Sequence, residues 1–570
     1  MADKKSHLHN IRHSAAHVLA QAVLQLFPGT KPTIGPVTEF GFFYDFLPTT
    51  GQSFKEDDLA KIEARMRELI AKNYAITGKQ TQKDEARRLW TDNPFKLEII
   101  NDIPDETVGV YTQGDFSDLC RGGHLDAIGG VQFFKLTNIS GSYWRARRDG
   151  IALQRISGIA FASQEEMDAY FKMVEDAERY DHRRLGKELD LFSFHDEAPG
   201  MPFFHAKGWQ IYNGLIDYLR KLRGNDYQEI RTPLMLDENL WKMSGHYDHY
   251  KSGMYFTAID EGHACIKPMN CPGAALVYRE KPHSYRELPL RLAEFGYVHR
   301  HELSGVLHGL FRVRAFVQDD LHIYATVDQL DAEVDRCIVL ANKLYAAFGF
   351  KDIQYAVSTR PEKSMGSDES WEKATNALKG ALERHNMAYE VHEGEGAFYG
   401  PKIEIKIEDN MGRRWQCGTV QVDFNMPINF DLTYVAADQS RQRPVMVHCA
   451  IYGSLERFIG VILEHFKGRL PHWLAPVQAR VLMISEKQAD YAKSVADALR
   501  AGGLRVELEH SNDQISAQIR KAQLDKIPWM VVVGQKEVDQ GTVTLRDLDG
   551  KQQFGQTVDS LLKLATELSN

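Results

Sequence analysis

Residues 291–325, RLAEFGYVHRHELSGVLHGLFRVRAFVQDDLHIYA, hold two runs of alternating character joined by a polar, glycine-containing loop. Alternation of this kind marks strands with one buried face, so the segment reads as a long antiparallel pair. In the second run a period of two puts Arg312, Arg314, Gln318, Asp320 and His322 on one face, and Val313, Ala315, Val317, Leu321 and Ile323 on the other. Phe316 and Asp319 break the pattern. One side is core and the other a working surface; a solvated sheet face is the bland alternative. Two arginines beside Gln, Asp and His suit phosphate oxygens, an ammonium group and a small polar side chain.

Outward from this pair, residues 185–470 mix strand-like runs (YQEIRTPLM, KIEIKIE, VQVDF, PVMVHCAIYG) with helical ones such as DAEVDRCIVLANKLYAAF. That mixture predicts an antiparallel sheet flanked by helices. After WLAPVQ, short apolar strands alternate with helices (ARVLMIS, LRVELEH, QISAQIRKAQLDK, PWMVVVG), which predicts a small parallel or mixed sheet. Toward the start, Ile11, Ala15, Val18, Ala22 and Leu26 recur at helical steps, with His13 and His17 side by side on a neighbouring face. An amphipathic stretch at Glu56–Asn73 follows, and FKLEII, VGVYTQ and GGVQFFKLTNIS read as strands of an α+β unit. The charged segment EEMDAYFKMVEDAERYDHRRLGKEL reads as a linker helix. The expected domains are 1–180, 181–470 and 471–570.

The whole chain has 570 residues, 43% hydrophobic and 26% charged, the composition of several globular units rather than of a disordered or fibrous chain. With 69 Lys and Arg against 78 Asp and Glu, the formal charge is −9, so a nucleic-acid partner must be held by local basic patches. No apolar run approaches the roughly 18 residues of a membrane helix. The N-terminus lacks the uninterrupted apolar stretch of a signal peptide, which predicts a cytoplasmic protein. Six scattered cysteines without a CxxC pair predict free thiols and one or two metal ligands.

Three further segments carry a resemblance. Tyr227-Gln-Glu-Ile-Arg-Thr-Pro233 looks like the dimer-interface motif of the class II aminoacyl-tRNA synthetases, Arg300 with Glu302 like their second motif, and Gly453-Ser-Leu-Glu-Arg457 like their third. Over essentially its whole length the chain is similar to the bacterial-type threonyl-tRNA synthetases. The general class pattern has a glycine where Ile451 stands, and the threonyl branch is similar in lacking it. The resemblance implies a class II antiparallel core, an α+β editing domain and a C-terminal α/β anticodon-binding domain, in a homodimer with no membrane partner. Family members often begin with a ubiquitin-like domain, and this sequence starts directly at the editing domain.

The implied activity is ATP-dependent activation of L-threonine and transfer to tRNA(Thr), with Mg²⁺ accompanying ATP. By resemblance, Arg300 and Arg457 grip the α- and γ-phosphates, and Glu302, Arg312 and Gln416 complete the nucleotide pocket. Cys271, His322 and His448 match the family's zinc ligands, one ion per subunit. One thiolate and two imidazoles leave an open tetrahedral position, the pattern of a catalytic zinc. Cys449 is a decoy that a strand points to the opposite face. Gln318, Asp320, Tyr399, Lys402 and Gln421 are implied for the amino-acid side, and His246 for the proton of the tRNA 2′-hydroxyl.

Serine carries the same hydroxyl and amine as threonine, so a second sieve is expected. His13, His17, Cys120 and His124 have zinc-type ligand chemistry, yet the resemblance implies an editing pocket that works through water and polar side chains. Tyr44, Lys96, Tyr111 and Asp118 match other positions of that pocket, and Gly123 replaces a proline common there. Asn512, Arg520, Glu537 and Arg546 fall where the family reads anticodon bases. The alternative is a synthetase-like RNA-binding or regulatory paralogue without aminoacylation; such a protein would have lost the arginines or the zinc ligands.

Overall fold

The protein is described here from a computed structural model covering residues 2–49, 51–147, 150–259, 262–409, 412–511 and 513–568. Its contacts divide it into two compact units, one running up to Glu175 and the other starting at Asp176. Among the described residues, no helix is long and apolar enough to cross a membrane.

In the first unit the helix Ala2–Leu26 buries Ile11, Ala15, Val18 and Ala22 against Phe42, Tyr44 and Phe46 of the strand Gly41–Leu47. That strand pairs antiparallel with Ala152–Phe161, which pairs in turn with Phe133–Tyr143. The helix Glu56–Ala71 adds Ile62, Met66 and Leu69 to the same core. A second sheet joins Ile76–Gln82, Thr107–Gln113 and Phe116–Leu119.

One expectation fails here: FKLEII is not a strand but lies within the helix Pro94–Asp102. The Asn93 side chain accepts from the Phe95 and Lys96 amides, and Pro94 sits where a helix tolerates a missing N–H. These start signals outweigh the strand propensity of Phe and Ile.

The second unit is built on an eight-stranded sheet in the order Gln228–Glu229, Leu290–His299, Ala315–Ala325, Val445–Ala450, Arg414–Asp423, Lys402–Glu408, Ile353–Ser358, Tyr389–His392. The pairings are antiparallel except for the outermost pair at each edge, which is parallel. Helices Ala206–Arg223, Leu330–Ala347 and Leu455–His465 cover one face and form the largest core with Leu321, Ile323, Val447 and Cys449. In the last of these helices Phe458, Ile459, Val461 and Ile462 are all buried, each stabilising by about 1.5–3 kcal/mol. The opposite sheet face is left for the site.

The C-terminal part of this unit is a five-stranded mixed sheet in the order Val506–Leu508, Ala479–Met483, Trp529–Val533, Val543–Asp547, Gln552–Gln556. Its first three strands are parallel and the remaining pairings antiparallel.

Candidate functional site

The strands Leu290–His299 and Ala315–Ala325 pair directly, setting Leu292 opposite His322 and Glu294 opposite Asp320. The loop between them folds back over the sheet, where the Arg300 amide donates to the Arg314 carbonyl at 2.9 Å. Arg300 then lies over the Phe316 ring at 5.2 Å, and its guanidinium donates to the Pro268 carbonyl at 3.1 Å and to Gln318 Oε1 at 3.2 Å. Arg312 donates to Glu302 at 3.0 Å. Arg314 turns instead to the carbonyls of Glu302 and Pro199 and stiffens the loop.

Across this surface the Ser454 hydroxyl accepts from the Arg457 amide and caps the helix Leu455–His465, which aims Arg457 back at the sheet. Its guanidinium donates to the carbonyls of Phe311 at 3.0 Å and Gln416 at 3.2 Å. Arg300, Glu302, Arg312, Gln416 and Arg457 thereby line one cavity of about 260 Å³, with Phe311 and Phe316 as apolar walls. Burial pushes the Arg457 guanidinium down, and the nearby Arg312 and Arg300 add to that. Converging guanidinium groups of this kind are matched by a polyanion such as a triphosphate.

Gln318 also faces this cavity and leads along its strand to a second cluster. His322 lies directly opposite His448 in the sheet, their rings 5.2 Å apart and nearly perpendicular. Cys271 opens the helix Cys271–Arg279 and completes a set whose donor atoms all lie within 4.8 Å of one another. Cys449 faces the core, as expected of its register.

The chemistry of this donor set fits a divalent cation. Burial pushes the Cys271 thiol well up and the His322 imidazole well down, and His322 Nδ1 is buried with no hydrogen-bond partner. Asp423 Oδ2 lies 3.1 Å from His448 Nε2, which fixes that ring and leaves its other nitrogen to ligate. The sequence reading missed Asp423; carboxylate support of a ligating histidine is invisible without the fold.

Around these three residues, Asp320 accepts from Asn270 at 2.6 Å and is pushed up to about 6 by burial. The Tyr399 hydroxyl donates to Gln421, which stands opposite His448 in the sheet. Lys402 lies opposite Gln421 and pairs with Glu404 at 2.7 Å. His246 is fully buried, 2.8 Å from Ser244 Oγ and 3.9 Å from Cys271 Sγ, and burial pushes it down to about 3.

In the first unit a cavity of about 940 Å³ is lined by His13, His17, Lys96, Asp118 and Cys120, with Arg121 and Arg145 among its cationic residues. The other three expected residues border them. The Tyr44 hydroxyl donates to Asp118 at 2.5 Å, and Lys96 bonds both Asp118 and Tyr44. His124 stacks on His13 at 4.1 Å, with Tyr111 at 4.9 Å on the other contact.

In the C-terminal sheet region, Arg520 is exposed on the helix Ile515–Leu524 and Arg546 lies in the strand Val543–Asp547. Glu537 is engaged locally, accepting from the Gly534 amide at 3.1 Å and the Thr544 hydroxyl at 2.9 Å. Asn512 lies outside the described residues.

Residues 255–466 match the tRNA synthetase class II core domain (G, H, P, S and T), residues 478–568 the anticodon binding domain, and residues 108–157 the threonyl and alanyl tRNA synthetase second additional domain. The chain is 51% identical over 539 residues to the threonine–tRNA ligase of Acetivibrio thermocellus, covering 94% of this chain and 84% of that protein. It is 48% identical over 561 residues to that of Desulfosudis oleivorans, covering 98% and 87%. Among solved structures, the RNA binding domain of threonyl-tRNA synthetase from Cryptosporidium parvum superimposes with a TM-score of 0.67 at 43% identity, over 68% of this chain and 98% of that one. With half of its residues shared along nearly its whole length, this chain belongs to the threonine–tRNA ligase family of class II synthetases.

Proposed function

We propose that this protein activates L-threonine with ATP, transfers it to tRNA(Thr), and hydrolyses seryl-tRNA(Thr) in a separate site. The observation that carries the reading is the convergence of Arg300, Glu302, Arg312, Gln416 and Arg457 on one cavity, which Gln318 also lines from the strand that carries His322 of the Cys271, His322 and His448 cluster. An anion-gripping pocket and a hydroxyl-selecting pocket thus meet on one sheet face. We assign residues 1–180 to editing, 181–470 to activation and 471–570 to the anticodon, where Arg520, Glu537, Arg546 and Asn512 would read bases. The protein would act as a cytoplasmic homodimer; Leu234 and Met235, 40% and 44% exposed beside Pro233, suit a buried subunit contact.

In the activation step the threonine carboxylate attacks the α-phosphorus, an O–P bond forms, and the bond to pyrophosphate breaks. Charge builds on the phosphoryl oxygens, and Arg300 and Arg457, already fixed by carbonyls and Gln318, stabilise it without reorganising. Gln318, Asp320, Tyr399, Lys402 and Gln421 would orient the amino acid. A zinc ion held by Cys271, His322 and His448 would supply a Lewis-acidic position for the amine and hydroxyl of threonine, and magnesium with ATP would share the triphosphate charge. A tRNA hydroxyl then attacks the adenylate carbonyl and AMP leaves; neutral His246 would accept the 2′-hydroxyl proton.

The test is pyrophosphate exchange with threonine, serine, valine and proline. Exchange with threonine, weaker exchange with serine and none with valine or proline is expected; a protein inert with all four would sink the reading. Arg457→Ala should lower threonine-dependent exchange by about 10²–10³-fold, the cost of one preorganised charge contact. Asp423→Asn keeps the oxygen that accepts from the Asn425 and Met426 amides but sets an amide against His448. It should weaken metal retention by about 10–100-fold in a chelator competition with little change in Tm.

A further inference from the structure

His182 opens the helix His182–Glu188 and is fully buried, yet no step above uses it. Asp181, His182 and Glu464 bring donor atoms within 4.8 Å of one another, as a cation site would. Both ring nitrogens of His182 are already engaged. Nδ1 lies 2.7 Å from Glu464 Oε1, and the Leu310 amide donates to Nε2 at 3.0 Å. An amide can only donate, so Nε2 presents its lone pair and the ring proton sits on Nδ1, shared with Glu464. The cluster is a hydrogen-bond node rather than a metal site.

The node continues in a closed circuit. The second Glu464 oxygen accepts from Arg413, and Arg413 donates to Asp409 at 2.9 Å. Asp409 accepts from the Trp415 indole at 3.0 Å. Trp415 stacks on Phe311 at 4.0 Å, and Phe311 returns to the His182 ring at 4.1 Å. The circuit passes through Phe311, which walls the nucleotide cavity and whose carbonyl orients Arg457. Gly309 records how closely the turn approaches: its φ is +47° and a Cβ there would lie 2.2 Å from His182 Nε2.

We propose that His182 is a positioning residue for the ATP pocket, a role that rests on reading this cavity as the nucleotide site. By accepting from Leu310 and flanking Phe311, it holds the 308–312 turn so that the aromatic wall faces the base and Arg457 faces the phosphates. Sequence gives no hint of it, because the partners lie 128 and 282 residues away.

Asparagine reproduces the Nδ1 donor and leaves the Leu310 amide without an acceptor, whereas the glutamine carbonyl reaches the Nε2 position and restores it. Threonine-dependent pyrophosphate exchange, with KM for ATP and for threonine measured separately and Tm recorded, tests the role in H182N, H182Q and G309A. In H182N and G309A the KM for ATP should rise about ten-fold and that for threonine stay within about two-fold, with H182Q recovering most of the loss, as expected for one orphaned buried amide. An unchanged ATP KM in H182N, equal rises in both constants, or H182Q no better than H182N at equal Tm would overturn the inference. Should H182N not fold, G309A against wild type makes the same comparison and an unchanged ATP KM there overturns it. A wild-type protein without threonine-dependent exchange removes the nucleotide-site reading, and the inference with it.

Discussion

Replacing Cys271 or His448 with alanine is expected to lower threonine activation by about 10⁴-fold, the scale on which a site that must engage a substrate hydroxyl separates it from an apolar isostere. Each change removes one of three donors from a buried pocket where the others, an imidazole pair or an imidazole with a thiol, cannot hold a divalent ion tightly alone. The fold should survive. Cys271 shares a packed cluster with Ala275, Tyr278, Leu292 and Tyr324, where loss of one sulfur leaves a small void, and His448 is held by the cross-strand ladder on both sides. The nucleotide pocket should survive too, because the hydrogen bonds that hold Arg300 and Arg457 run to Pro268, Gln318, Phe311 and Gln416 rather than to the changed residues. The variants should therefore bind ATP with near wild-type affinity while elemental analysis finds little zinc. Residual activation should discriminate threonine from valine only weakly, by about 10²-fold at most, which is what a plain pocket achieves. Unchanged threonine-dependent exchange in either variant, with metal absent by analysis, would end the hydroxyl-selection argument.

The parts of this site that could be read in the sequence are those in which chemistry and local periodicity coincide. Alternation along 315–325 placed Gln318, Asp320 and His322 on one face, and the structure puts them there. Phe316 belongs to the site face as the floor beneath Arg300, while Asp319 turns into the core, where its carboxylate accepts from the amides of Ile451, Tyr452 and Gly453 and lies 3.8 Å from Arg223. A buried carboxylate can satisfy a backbone turn 132 to 134 residues away, and no window of sequence contains both partners. The same holds for Asp423 behind His448 and for the register that sets His322 opposite His448. Resemblance could supply the three ligands; spacing could not, because sheet order brings them together. FKLEII failed for the opposite reason, a local one: its apolar residues suit a strand, but Asn93 and Pro94 just before them start a helix.

The double substitution His13→Ala, His17→Ala should lower deacylation of seryl-tRNA(Thr) by about 10²-fold, the scale on which misplacing a reacting group costs rate. His13 and His17 sit one helical turn apart with rings at 5.2 Å, and His124 packs on both at 4.1 and 4.3 Å. Three imidazoles this close cannot all carry charge out of water. Burial, reinforced by their mutual repulsion, pushes His17 well down and His124 to about 2, and burial lowers His13 as well. Burial therefore favours the neutral ring in all three, weak bases whose nitrogens can still accept a hydrogen bond from a water and orient it. The neighbouring thiol is a poor alternative nucleophile: Cys120 Sγ lies 3.3 Å from His13 Nε2 and 3.1 Å from His124 Nε2, but burial pushes it up, away from the reactive thiolate. Attack by water rather than by the thiol is therefore expected, so Cys120→Ala should cost far less than the double change. Wild-type deacylation should also stay nearly flat as pH falls from about 8 to about 6, where a solvated histidine would titrate. Threonine activation supplies the internal control, since every residue assigned to it lies beyond Asp176. A double variant that activates threonine normally and still clears seryl-tRNA(Thr) at the wild-type rate would take the editing role away from this histidine cluster.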